Sequence, residues 1–167
     1  MIRHPEQRVG IFVDVQNMYH SARNIYNCRV NFKAILDEAE AGRKLVTANA
    51  YVIQSSGKEE QNFFEALDKQ GFKVMMKDLQ IFPGGAKKAD WDVGLAIDAI
   101  KMSSKLDVTV IVSGDGDFIP LIEYLQMQGQ QVEVIAFAES SSKAMREKVD
   151  AFTDLSENKK KFLLKIR

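Results

Sequence analysis

The sequence predicts an α/β fold, a single three-layer domain with a mainly parallel central sheet and helices on both faces. Three observations predict it. Strand-like apolar runs alternate with amphipathic helical stretches along 167 residues, the pattern of a parallel sheet covered on both sides. Runs such as Val108–Val112 (VTVIV) are apolar without a break, as strands buried on both faces are. Helical stretches end in glycine at positions 42, 71 and 129, a common stop signal.

Val9–Asp14 (VGIFVD) is a β-rich run that ends in an acid. Helices over 16–26 and 31–41 follow, the second stopped by Gly42. Lys44–Ile53 is a buried strand. Residues 59–70 form an amphipathic helix with Phe63, Phe64 and Leu67 at helical spacing, ended by Gly71. Strand 72–76 leads to a loop at 82–88 that contains Pro-Gly-Gly. Helix 92–103, strand 108–112, helix 118–128, strand 132–137 and a short helix at 142–148 complete the order. Beyond residue 150 no pattern decides. Residues 1–157 are expected to form the domain and residues 158–167 a basic C-terminal tail.

Composition narrows the class. Hydrophobic residues make up 46% and charged residues 28%, an ordinary globular profile, and this length can bury a core without disulfides. One cysteine, Cys28, forbids an intrachain disulfide and points to a reducing, cytoplasmic compartment. No signal-peptide run opens the chain, and no apolar stretch approaches the roughly 20 residues of a membrane helix. The net charge is zero, yet five of the 23 basic residues lie in the last ten positions, which hold no acid. The first 157 residues therefore carry 18 basic and 23 acidic groups, a net of −5. Such a body repels anionic partners unless cations or the tail assist. The tail reads either as an RNA-attracting segment or as a frayed, solubilising terminus.

Ligands of open α/β sheets bind outside the carboxyl ends of the strands. Asp14 ends the first strand. Strand 108–112 runs into Ser113-Gly114-Asp115-Gly116-Asp117-Phe118, and Asp92 opens a helix able to reach the same edge. Carboxylates gathered there repel one another and raise each other's pKa. A cation relieves that cost, and oxygen ligands without His or Cys favour Mg²⁺ or Mn²⁺. Each acid also has a structural role open to it. Asp117 is a good N-cap, with Phe118 first in the helix and Pro120 in its first turn. Asp115 between glycines makes a turn, and those glycines let backbone approach a ligand. Asp92 suits a helix's first turn. Asp98, about 120° round the helix from Asp92, is expected to support the site or pair with a base, and Asp90 to cap the helix. Asn17 either orients Asp14 or a water, or caps the first helix. Lys87 and Lys88 meet phosphate or form a solvated loop. No Walker, dinucleotide or nucleophile-elbow motif is present.

Three ordered segments carry a resemblance: Gly10–Asn17 (GIFVDVQN), Lys88–Asp98 (KADWDVGLAID) and Val110–Phe118 (VIVSGDGDF). Together they resemble the motifs of NYN domains, and within that family the bacterial LabA-like group, over about Val9 to Leu155. The middle segment departs from the family in having Ala89-Asp90-Trp91 where many members have glycine and a small apolar residue. The resemblance implies a PIN-like fold and metal-dependent cleavage of RNA. It places the acidic site on Asp14, Asp92, Asp115 and Asp117 as metal ligands and catalytic groups, with Asn17, Ser113 and Lys88 on the substrate side. The expected reaction is phosphodiester hydrolysis by metal-activated water leaving a 5′-phosphate, with single-stranded RNA as the partner. A non-catalytic regulatory module binding RNA or protein is the rival. A dehalogenase-like phosphatase would need Asp-x-Asp after the first strand, where this chain has Asp14-Val15-Gln16. A shallow groove on one domain leaves room for a homodimer.

Overall fold

The structure is a computed structural model that describes residues 3–55, 57–85, 87, 88 and 90–166, without the side chains of residues 87 and 88. The elements run β1 (Arg8–Asp14), α1 (Val15–Tyr26), β2 (Cys28–Val30), α2 (Phe32–Glu40), β3 (Lys44–Gln54), α3 (Lys58–Gln70), β4 (Lys73–Asp78), β5 (Gln80–Ile81) and β6 (Lys87–Lys88). They continue with α4 (Asp92–Met102), β7 (Val108–Val112), α5 (Ile119–Met127), β8 (Gln131–Ala136), α6 (Lys143–Lys148), β9 (Ala151–Asp154), α7 (Lys159–Phe162) and β10 (Leu163–Lys165).

Six strands form one sheet in the order β4-β3-β1-β7-β8-β9, and every pairing in it is parallel. Successive side chains of a strand point to opposite faces. Val9, Ile11 and Val13 accordingly pack with Met18, Ile35, Leu67 and Phe162 from α1, α2, α3 and α7. Phe12 and Ile111 pack with Leu95, Ile122 and Met145 from α4, α5 and α6 on the other face. Gly10 leaves room in this layer for Leu106, whose Cδ1 would stand 2.5 Å from a Cβ there and would have to shift.

Several boundaries differ from those expected. Helix α2 stops one residue before Gly42, at Ala41, which adopts φ +49°. Only the second half of β3 is buried; its first three residues are exposed. The segment expected as a loop at 82–88 ends in strand: β6 pairs antiparallel with β5 as a small ribbon. Strand β9, without a sequence signal, completes the sheet edge. The helix expected to begin at Phe118 starts with a 3₁₀ turn, Gly116–Phe118, capped by Asp115 rather than by Asp117.

The basic C-terminal segment is not frayed. Strand β10 pairs antiparallel with β2, the Asn31 amide donates to Phe162 O at 2.8 Å, and Lys161 Nζ lies 2.9 Å from Glu38. Phe162 is 4% exposed within the core. Phe162→Ala is therefore expected to cost about 3 kcal/mol, read as a lower urea midpoint. An unchanged midpoint would mean that the segment merely rests on the surface.

Candidate metal centre

Strand β1 is the switch point of the sheet. The chain leaves it toward β3 and β4, then returns to add β7, β8 and β9 on the other side. The carboxyl ends of β1 and β7 border the crevice where open α/β sheets take ligands. Register pairs Val13 with Val112, so Asp14 and Ser113 leave the sheet side by side. Ser113 Oγ donates to Asp14 Oδ2 at 3.0 Å and accepts from the Asp115 amide at 3.2 Å. Fully buried, that hydroxyl joins the two acid-bearing loops.

Asp14 also caps α1, its Oδ1 accepting from the Asn17 amide at 3.2 Å. Asn17 does not cap the helix. Its Oδ1 accepts from the Gly114 amide at 3.0 Å and so ties the 113–117 loop to α1. Asp115 Oδ1 accepts from the Asp117 amide at 2.9 Å. The glycines of this loop meet protein. A Cβ on Gly114 would stand 3.0 Å from Ser140 O and Ser141 Cα, and one on Gly116 3.0 Å from Ser142. The Ser142 amide donates to Gly114 O, so the segment before α6 braces the loop.

Asp92 comes from the far side, on the first turn of α4. The residue that departs from the family pattern fixes this helix start. Trp91 Nε1 donates to Val52 O at 3.0 Å, and its ring meets Tyr51 edge-on at 5.6 Å. The ring also covers Gly94, where a Cβ would stand 2.3 Å from it. Asp90 Oδ1 accepts from the Asp92 amide at 3.3 Å. Asp98 pairs with no base among the described residues. It accepts from the Tyr51 hydroxyl at 2.7 Å, ending a polar chain in which Asn49 donates to Tyr51.

Asp14, Asp92 and Asp115, all half-buried, each offer a carboxylate oxygen, and these oxygens lie within 4.8 Å of one another. They line a pocket of about 230 Å³ with Gln16, Asn17, His20 and Asp90. Asp90 is the member the sequence reading missed, having assigned it only a capping bond. Asp117 is exposed and lies outside the carboxylate group, and the Lys88 side chain falls outside the described residues. The three converging carboxylates are a hard oxygen donor set that fits a divalent cation.

The electrostatics agree with the geometry. Burial pushes Asp92 up to about 7, helped by the charges of Asp14, Asp115 and Asp90 and by a hydrogen bond to Asp115. Burial likewise raises Asp14, opposed by its bonds from Asn17 and Ser113 and reinforced by the charges of Asp115 and Asp90. A carboxyl whose folded pKa is raised keeps a proton that the unfolded chain has lost. Without a cation, the contribution of Asp92 to stability thus falls as pH rises from about 4 to about 7. Asp92→Asn is expected to add about 1 kcal/mol at about pH 8, an amount reduced for solvent screening of a partly exposed group, and nothing at about pH 3. Melting curves in EDTA at both pH values check this; an equal gain at both would reject the electrostatic cause.

A family model for the NYN domain matches residues 8–156. The chain belongs to the NYN domain family. It is 27% identical over 161 residues to the low amplitude and bright protein LabA of Synechococcus elongatus, covering 90% of this chain and 84% of that one. It is also similar to the crystal structure of VPA0982, a protein of unknown function from Vibrio parahaemolyticus. That match has a TM-score of 0.88 and 32% identity, and spans 98% of this chain and 100% of the other. The NYN match takes in all three acids and leaves out the segment from residue 157 on, with α7 and β10. No helix among the described residues is long and apolar enough to cross a membrane.

Proposed function

We propose that this NYN domain is a metal-dependent ribonuclease that hydrolyses phosphodiester bonds at the Asp14–Asp92–Asp115 centre. One observation carries the reading: three carboxylates from separate elements converge within 4.8 Å at the switch point of a parallel sheet. Their mutual repulsion is a standing cost to the fold, and a cation with substrate phosphate removes it. Mg²⁺ or Mn²⁺ held there would supply charge neutralisation at a phosphate oxygen and a more acidic water.

The protein's own groups have separable roles. Asp14 and Asp115 would hold the cation, and Asp92, which burial pushes up to about 7, would join them as a ligand or hold a proton. Ser113 and Asn17 act as positioning residues, since their oxygens are already engaged by Asp14, Asp115 and Gly114. Asp117, exposed and outside the group of three, would take part only through water. Lys88 is assigned to substrate phosphate on its sequence position alone.

End-labelled single-stranded RNA incubated with Mn²⁺ or Mg²⁺, beside EDTA and Asp115→Asn controls, tests the proposal. Cleavage that needs both the metal and Asp115 supports it. Metal binding without cleavage would move the reading to a regulatory module that has kept its cation site.

A further inference from the structure

A groove of about 650 Å³ opens between α1 and α3, next to the acidic pocket. The two share Gln16 and His20 as lining residues, so they adjoin one another. The groove's volume falls within the roughly 300–1,000 Å³ typical of sites for small organic groups. The floor is apolar, with Val30, Phe64 and Leu67 buried beneath it.

Aromatic rings form the walls. Tyr19 is 45% exposed and meets the His20 ring edge-on with centroids 5.4 Å apart. A hydrogen bond of 2.9 Å between His20 Nε2 and Gln16 Oε1 holds that imidazole at the mouth of the acidic pocket. Opposite, Phe63 is fixed by Phe32 and Phe64 at 5.8 and 6.0 Å. Charge is sparse and mixed: Arg29 is the single lysine or arginine among the described lining residues, and Glu59 and Glu60 stand on the α3 side.

These features select the occupant. Acids on one wall disfavour a phosphate backbone lying along the groove. Flat rings over an apolar floor favour a planar group with a π-face, and every nucleobase has one. In a duplex that face is hidden by stacking, whereas an unpaired nucleotide presents it. We propose that the groove receives one unstacked base of a single-stranded RNA whose adjoining phosphate enters the acidic pocket. The base then sets which phosphodiester reaches the carboxylates, and duplex RNA is excluded by geometry. The identity of the phosphate site rests on the nuclease reading; the affinity of the groove for a base does not.

The test compares wild type, Tyr19→Ala and Tyr19→Phe on a short oligouridine and on the same backbone made abasic throughout. If wild type cleaves, the effect is read as KM against kcat. If it does not, the same comparison is read as Kd by fluorescence anisotropy, so the two readings fail separately. Tyr19→Ala is expected to weaken the oligouridine about tenfold with kcat kept, to leave the abasic strand unchanged, and to be rescued by Tyr19→Phe. The proposal is overturned if Tyr19→Ala weakens both strands alike or neither, or if wild type binds no oligouridine.

Discussion

Asp14→Asn is expected to keep the fold and to lower metal-dependent RNA cleavage on the order of a thousandfold, the scale at which single preorganised catalytic groups act. The fold should survive because asparagine caps a helix as well as aspartate does. Its Oδ1 still accepts from the Asn17 amide, a bond of 3.2 Å in the native protein. Its NH₂ can donate to Ser113 Oγ, which has a second lone pair beside the one used by the Asp115 amide. The charge is what disappears. Asp92 and Asp115 would then face each other without their third partner, a poorer set for a divalent cation. Melting temperature, Mn²⁺ titration and cleavage rate on one preparation check all three points. Ser113→Ala should cost less, about 10- to 100-fold, because it removes orientation and not a ligand. Wild-type activity in Asp14→Asn would end the nuclease reading.

Arg43→Met is expected to destabilise the domain by about 3–5 kcal/mol. Arg43 and Glu133 face each other in the interior, their side chains 1% and 4% exposed, with Nη1 2.9 Å from Oε2 and Nη2 3.1 Å from Oε1. Cutting one member leaves the other charged and dry. Arg3, 3.9 Å from Glu133, offers that carboxylate partial relief, which places Arg43→Met at the low end. Glu133→Met strands the guanidinium and belongs at the high end. The double variant should recover only part of the loss, since Arg43 also donates to Ala39 O and Glu40 O at the end of α2. Urea unfolding of the four proteins closes the cycle. Independent, additive losses would show that the two charges do not depend on each other.

The layer order was legible because the strongest signals are local. The five-residue apolar run Val108–Val112 fitted a doubly buried strand, as it is, and Gly71 and Gly129 mark turns whose φ of +113° and +87° suits glycine. Strands β2, β9 and β10 were not legible. They are three or four residues long and exist through partners distant in sequence, as Leu163 against Val30 shows. Asp14 and Asp115 could be located from strand ends and Asp92 from a helix start, but the ranking of the acids could not. Asp115 and Asp117 are separated by a single glycine, and the 3₁₀ turn decides which faces the pocket. Asp90 was read as a cap because a bond to the next-but-one amide is all that local sequence suggests. Its place in the pocket depends on Trp91, whose anchor at Val52 lies 39 residues away. The aromatic groove was invisible for the same reason: Tyr19 and Phe63 belong to helices separated by two strands and a helix.

The hydroxyl bridge between Ser113 and Asp14 joins positions 99 residues apart. During synthesis the first acid leaves the ribosome long before its partners exist, and β1 has no β7 to lie against. Contacts of such separation close late and slowly. The three carboxylates therefore cannot meet until most of the chain has been made, and a fragment ending before residue 113 never acquires the group. On the reading that this group holds a cation, cation affinity would be a clock for folding: its appearance would mark the moment when the two halves of the sheet have met.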